Sequence, residues 1–106
     1  MKICCISDLH GQLPPTVPEC DLLLIAGDIT GHRTMRQERN WLRYKFNPWA
    51  KAQPANRTIA TWGNHDRIGY SLKELTLDLT LLLDTSTCCG GLNVYGSPWS
   101  MEFLNW

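Results

Sequence analysis

The stretch Asp21-Leu22-Leu23-Leu24-Ile25-Ala26-Gly27-Asp28-Ile29-Thr30-Gly31 decides the fold class. An apolar run of this length, without polar alternation, predicts a strand covered on both faces, as in a parallel sheet inside an α/β sandwich. The run stops at Gly27-Asp28, where a glycine and a carboxylate could not continue such a strand. The design recurs twice: Lys2-Ile3-Cys4-Cys5-Ile6 leads into Ser7-Asp8-Leu9-His10-Gly11, and Thr58-Ile59-Ala60-Thr61-Trp62 leads into Gly63-Asn64-His65-Asp66. In open α/β sheets ligands bind beyond the carboxyl ends of the strands. Three polar loops at three strand ends are therefore expected to converge on one rim of an α/β fold with a parallel-rich sheet.

Between the second and third runs, Met35, Leu42, Phe46 and Trp49 share one face of a 3.6-residue period, which predicts a helix from about Thr34 to Asn47. Pro48 and Pro54 are expected to bound it, because proline cannot continue a helix and restricts the residue before it. Strand, helix and parallel strand then form a βαβ unit. The link carrying Pro14, Pro15 and Pro18 reads as loop. Downstream, Ser71–Leu75 suits one helical turn, and Leu79–Asp84 and Leu92–Tyr95 suit two strands joined by Thr85 to Gly91, with Gly90-Gly91 at a turn needing positive φ.

The 106 residues suffice for one domain with one core. Hydrophobic residues at 43% and charged residues at 19% exclude a disordered chain. Zero net charge gives no global field toward nucleic acid or an anionic membrane. The region from Arg33 to Lys51 is locally basic, with Glu38 as its one acid, and reads as the solvated face of the helix. Its interleaved Trp41, Tyr44, Phe46 and Trp49 read as core, so a nucleic-acid partner is not expected. The apolar residues before Ser7 are too few for a signal peptide or a membrane span. Five cysteines, two pairs of them adjacent, read as small buried hydrophobes in a reducing, cytoplasmic setting.

The chemistry lies in the loops. Asp8 and His10 are two apart on chain leaving a strand, so both can reach one ion. Asp28 has two oxygens and can bridge two ions about 3.5–4 Å apart. Asn64 and His65 add an amide and an imidazole. Mixed carboxylate and imidazole sets of this kind suit Mn²⁺, Fe²⁺ or Zn²⁺. Gly27, Gly31 and Gly63 let the backbone turn and approach without a Cβ clash.

Asp8-x-His10, then Gly27-Asp28-x-x-Gly31, then Gly63-Asn64-His65-Asp66, in this order and each ending an apolar strand, resembles the calcineurin-like metallophosphoesterase family. The tail Tyr95-Gly-Ser-Pro-Trp-Ser100 and Phe103–Trp106 is similar to the phosphodiesterase-like branch named for its metallophosphoesterase domain. The resemblance implies part of a calcineurin-like α/β sandwich, two divalent metal ions and hydrolysis of phosphate esters. Asp8 and His10 would bind the first metal, Asp28 would bridge, and Asn64 would bind the second. His65 would protonate the leaving oxygen or stabilise the transition state, with Asp66 holding its imidazole.

The family completes its site with three later histidines, whereas this chain has His10, His32 and His65 and none after position 65. Residues 1–106 are accordingly expected to be the N-terminal part of the domain, with the second metal left to Asp28 and Asn64. His32 occupies no family ligand position. The alternative to a hydrolase is a non-catalytic metal-binding or interaction remnant.

Overall fold

The computed structural model describes residues 1–31, 34–63, 66 and 77–98. Four strands, β1 (Ile3–Ile6), β2 (Cys20–Ala26), β3 (Ala55–Thr61) and β4 (Thr80–Leu81), form an all-parallel sheet in the order β1-β2-β3-β4. The expected α/β class and the three loop-bearing strands are present. Central β2 is buried on both faces, as its unbroken apolar run requires. On one face Leu23 and Ile25 pack with Cys4, Ile6 and Ala60 against Trp41, Leu42, Phe46 and Ala50 of the helical layer. On the other, Leu22 and Leu24 meet Ile59, Leu82, Cys89 and Val94. Strand β1 departs from the expectation. It is an edge strand with Ile3 and Cys5 exposed, because its outer neighbour position carries no strand among the described residues.

The helical layer runs past its expected end. Helix α1 (Met35–Trp41) passes into a π-helical turn (Leu42–Phe46) and then α2 (Asn47–Lys51), so Pro48 lies inside the segment. The Asn47 N–H reaches back to the Leu42 carbonyl, five residues earlier. This wider turn opens the space in which a proline ring would otherwise meet the carbonyl four residues before it. Leu42 and Phe46 are buried as expected, but at the start of the helix Met35, expected inside, is 41% exposed, while Trp41 is buried. Glu38, expected in the solvated face, is buried too. Arg36, Arg43, Lys45 and Lys51 are exposed as expected. Trp41, Phe46 and Trp49 stack at 6.0 Å between successive ring centroids, which makes them core, whereas Tyr44 is exposed.

Beyond β4 the structure differs again. Thr85–Cys89, expected as connecting chain, is strand β5, paired antiparallel with β6 (Leu92–Gly96) through Gly90-Gly91. Both glycines have positive φ, as a two-residue hairpin turn demands. The Arg57 guanidinium of β3 donates to Cys88 O at 2.7 Å and Thr87 Oγ1 at 2.9 Å, pinning the hairpin to the sheet. All five cysteines are free. No helix among the described residues is long and apolar enough to cross a membrane. The expected turn at 71–75, and the tail from Trp99, lie outside the described residues.

Candidate metal centre

Strand register places the loops. Ile6 pairs with Ile25, and Ala26 with Thr61, so β1, β2 and β3 end side by side. Beyond the strands the first two loops continue the ladder: Asp8 N donates to Gly27 O at 3.2 Å, His10 N to Asp28 O at 3.0 Å, and Gly11 N to Ile29 O at 2.9 Å. Asp8, His10 and Asp28 hold left-handed backbone, with φ of 55°, 48° and 52°. Asp and His tolerate this region better than branched residues do, yet it costs roughly 1–3 kcal/mol each and persists only where the surroundings over-determine it. Here the interloop hydrogen bonds supply that constraint.

The result is convergence. One donor atom from each of Asp8, His10 and Asp28 lies within 4.8 Å of the others. Donors around a single ion at about 2.0–2.2 Å sit roughly 3–4.4 Å apart, so small side-chain movements close the set. Two carboxylates and an imidazole on one exposed rim fit a borderline divalent cation. His10 Nε2 stands 3.5 Å from Asp8 Oδ1. The Ser7 hydroxyl, donating to Asp8 Oδ2 at 2.6 Å, holds the Asp8 carboxyl below its ordinary range, with desolvation opposing it and His10 and Asp28 adding to it.

The third loop enters by close backbone approach. Gly27, at φ +83°, faces Gly63 so tightly that a Cβ on residue 27 would lie 3.0 Å from the Gly63 Cα. A Cβ on Gly63 would collide with the backbone nitrogen and carboxylate of Asp28. Gly63 is thus required by packing, and Gly27 by both packing and φ. Fully buried Asp66 accepts from Ile29 N (3.0 Å), Thr30 N (2.7 Å), Thr30 Oγ1 (2.9 Å) and Gly63 N (2.8 Å).

Of the residues expected at the site, Asp8, His10 and Asp28 are brought together, and Asp66 lies directly behind their loops. Asn64, His65 and His32 lie outside the described residues. Sequence reasoning missed Ser7 and Thr30, although both sit inside the motifs, where hydroxyls beside carboxylates are an available signal.

Loops that gather Asp, His and Asp at the strand ends of a parallel sheet form a candidate divalent-metal site, and comparison with known proteins gives the family. Residues 1–102 match the calcineurin-like phosphoesterase family, and the chain belongs to that family. It is 27% identical over 120 residues to a probable rhamnogalacturonate lyase C of Emericella nidulans, covering 99% of this chain and 11% of that protein. It is 37% identical over 75 residues to a UPF0046 protein of Caenorhabditis elegans, covering 70% of this chain and 24% of that protein. The chain thus spans a quarter or less of the length of these relatives. The family is divalent-metal dependent and acts on phosphate esters.

Proposed function

We propose that this chain supplies the first metal site and the proton donor of a phosphoesterase acting on phosphodiesters or small phosphorylated metabolites. The convergence of Asp8, His10 and Asp28 on one rim carries the reading. In this assignment Asp8 and His10 hold one ion of Mn²⁺, Fe²⁺ or Zn²⁺, Asp28 is shared, and Asn64 serves a second ion. A bound divalent pair neutralises phosphoryl charge and supplies hydroxide near neutral pH. His65 protonates the departing alkoxide, which is a poor leaving group without a proton.

Donor counting sets a limit for the 106-residue chain, because one shared carboxylate and one amide form a weak second site. The chain alone should take up at most one Mn²⁺ tightly and hydrolyse bis-p-nitrophenyl phosphate poorly, if at all. A chimera joining it to a histidine-bearing second half of a family member should hold two ions and turn over. In that chimera His65→Ala should lower turnover by about 10²–10⁴-fold with metal content retained. Metal analysis and p-nitrophenol release test both statements. A chimera that holds both ions yet hydrolyses no phosphate ester would favour a non-catalytic metal-binding role.

A further inference from the structure

We infer that Asp66 is a positioning residue that locks the Asp28 loop to the third loop, and so fixes the metal-binding carboxylate at the centre of the rim. The inference rests on the metal-site assignment above. Each Asp66 oxygen accepts two bonds: Oδ1 from the amide and hydroxyl of Thr30, and Oδ2 from the amides of Ile29 and Gly63. A carboxylate offers about four lone-pair sites, so these four donors satisfy it from within the fold. The residues it joins are far apart in sequence, Asp66 and Ile29 being 37 positions distant.

The geometry defines what this lock does. Ile29 directly follows Asp28, and its amide is held by Asp66 while its carbonyl is held by the Gly11 amide. Asp28 is therefore clamped from the first loop and the third, with its left-handed φ between the two clamps. The amides at 29 and 30 point at a buried anion, which orders them without consuming any oxygen of Asp28. Thr30 and Asp66 are both fully buried, so water cannot take over these bonds when the carboxylate is removed. Groups that orient ligands in this manner typically change metal affinity about 10–100-fold when removed.

The test compares Asp66→Asn, Thr30→Val and Asp21→Asn, using Mn²⁺ titration calorimetry, far-UV circular dichroism and thermal melting. Asp21 is the control, a carboxylate that joins strands at the opposite end of the sheet through Lys2 N and Asn56 Nδ2. Asp66→Asn should bind Mn²⁺ about 10–100-fold more weakly with its helix and sheet signals intact. Thr30→Val, which keeps the carboxylate and loses one donor, should weaken binding several-fold and keeps the inference testable if Asp66→Asn fails to fold. Asp21→Asn should melt lower and bind Mn²⁺ as wild type does. Folded Asp66→Asn or Thr30→Val protein with wild-type affinity overturns the inference, as does an equal loss in Asp21→Asn. If wild-type protein binds no Mn²⁺, the metal-site assignment itself fails. Amide exchange at Ile29 and Thr30 then decides the lock: faster exchange in Thr30→Val or Asp66→Asn upholds it, and unchanged exchange overturns it.

Discussion

At the amino ends of the strands, Lys2, Glu19, Asp21, Gln53 and Asn56 line an open cleft of about 450 Å³. At the carboxyl ends, exposed Asp8 and His10 stand on a rim with half-buried Asp28. Both ends carry carboxylates at similar density, but the division of labour differs. At the amino end side chains do the joining: Asp21 accepts from Lys2 N at 2.6 Å and Asn56 Nδ2 at 3.3 Å, and Gln53 accepts from Val17 N at 2.9 Å and donates to Trp49 O at 2.8 Å. At the carboxyl end backbone atoms and buried Asp66 do it, and the ligand side chains converge on a common point. Hollow volume is therefore the poorer guide to chemistry in this molecule, and the direction of the donors is the better one.

The largest expected break in this contrast comes from Asp28→Ala, which should weaken Mn²⁺ binding by more than about 100-fold in calorimetry, beyond what loss of an orienting group produces. Gly63→Ala should come next. Its methyl must displace Asp28, so about 1–3 kcal/mol of stability in urea unfolding should be lost together with metal affinity. At the other end Gln53→Ala strands the buried Val17 amide, and roughly 1–3 kcal/mol should go with Mn²⁺ affinity untouched. A change in affinity there would dissolve the distinction between the two ends.

The smallest effect concerns Tyr95. Its hydrogen bond to Asp84 raises the phenol above its ordinary value of 10.0. A folded-state pKa above the unfolded one stabilises below the unfolded value and is lost as pH rises through the folded value. The contribution is thus complete near neutrality and disappears only in strong alkali. Ultraviolet titration of phenolate should show Tyr95 ionising late, and Asp84→Asn should move it back toward 10.0.

The sheet and the rim were legible because their signals are local: an apolar run, a glycine, then a carboxylate. Leu22 to Ala26 declare a doubly covered strand, and β2 is one. What escaped depends on partners distant in sequence. Thr85–Cys89 alternates too weakly to announce a strand, and becomes one by pairing with Leu92–Gly96. Continuation of the helix through Pro48 needs the widened turn, which no periodicity displays. Thr34 and Gln37 form a capping box at the helix start, a signal that the apolar periodicity of the segment does not carry. At the site, Asp66 suggested a partner for its neighbour His65, while its four described bonds reach mostly across the fold to the Asp28 loop.

The bonds from Asp8, His10 and Gly11 to Gly27, Asp28 and Ile29 run through amides and carbonyls alone. Every amino acid except proline can furnish such an amide, and all can furnish the carbonyl. Substitutions at Leu9 or Ile29 can therefore accumulate during divergence without dislodging the ladder, provided packing volume is kept. Insertions cannot, because one added residue on either side shifts the pairs beyond it out of register. The rim should tolerate drift in spelling but not in length, and a library of single-residue insertions across 8–11 and 27–30 would lose metal binding where substitutions at 9 and 29 retain it.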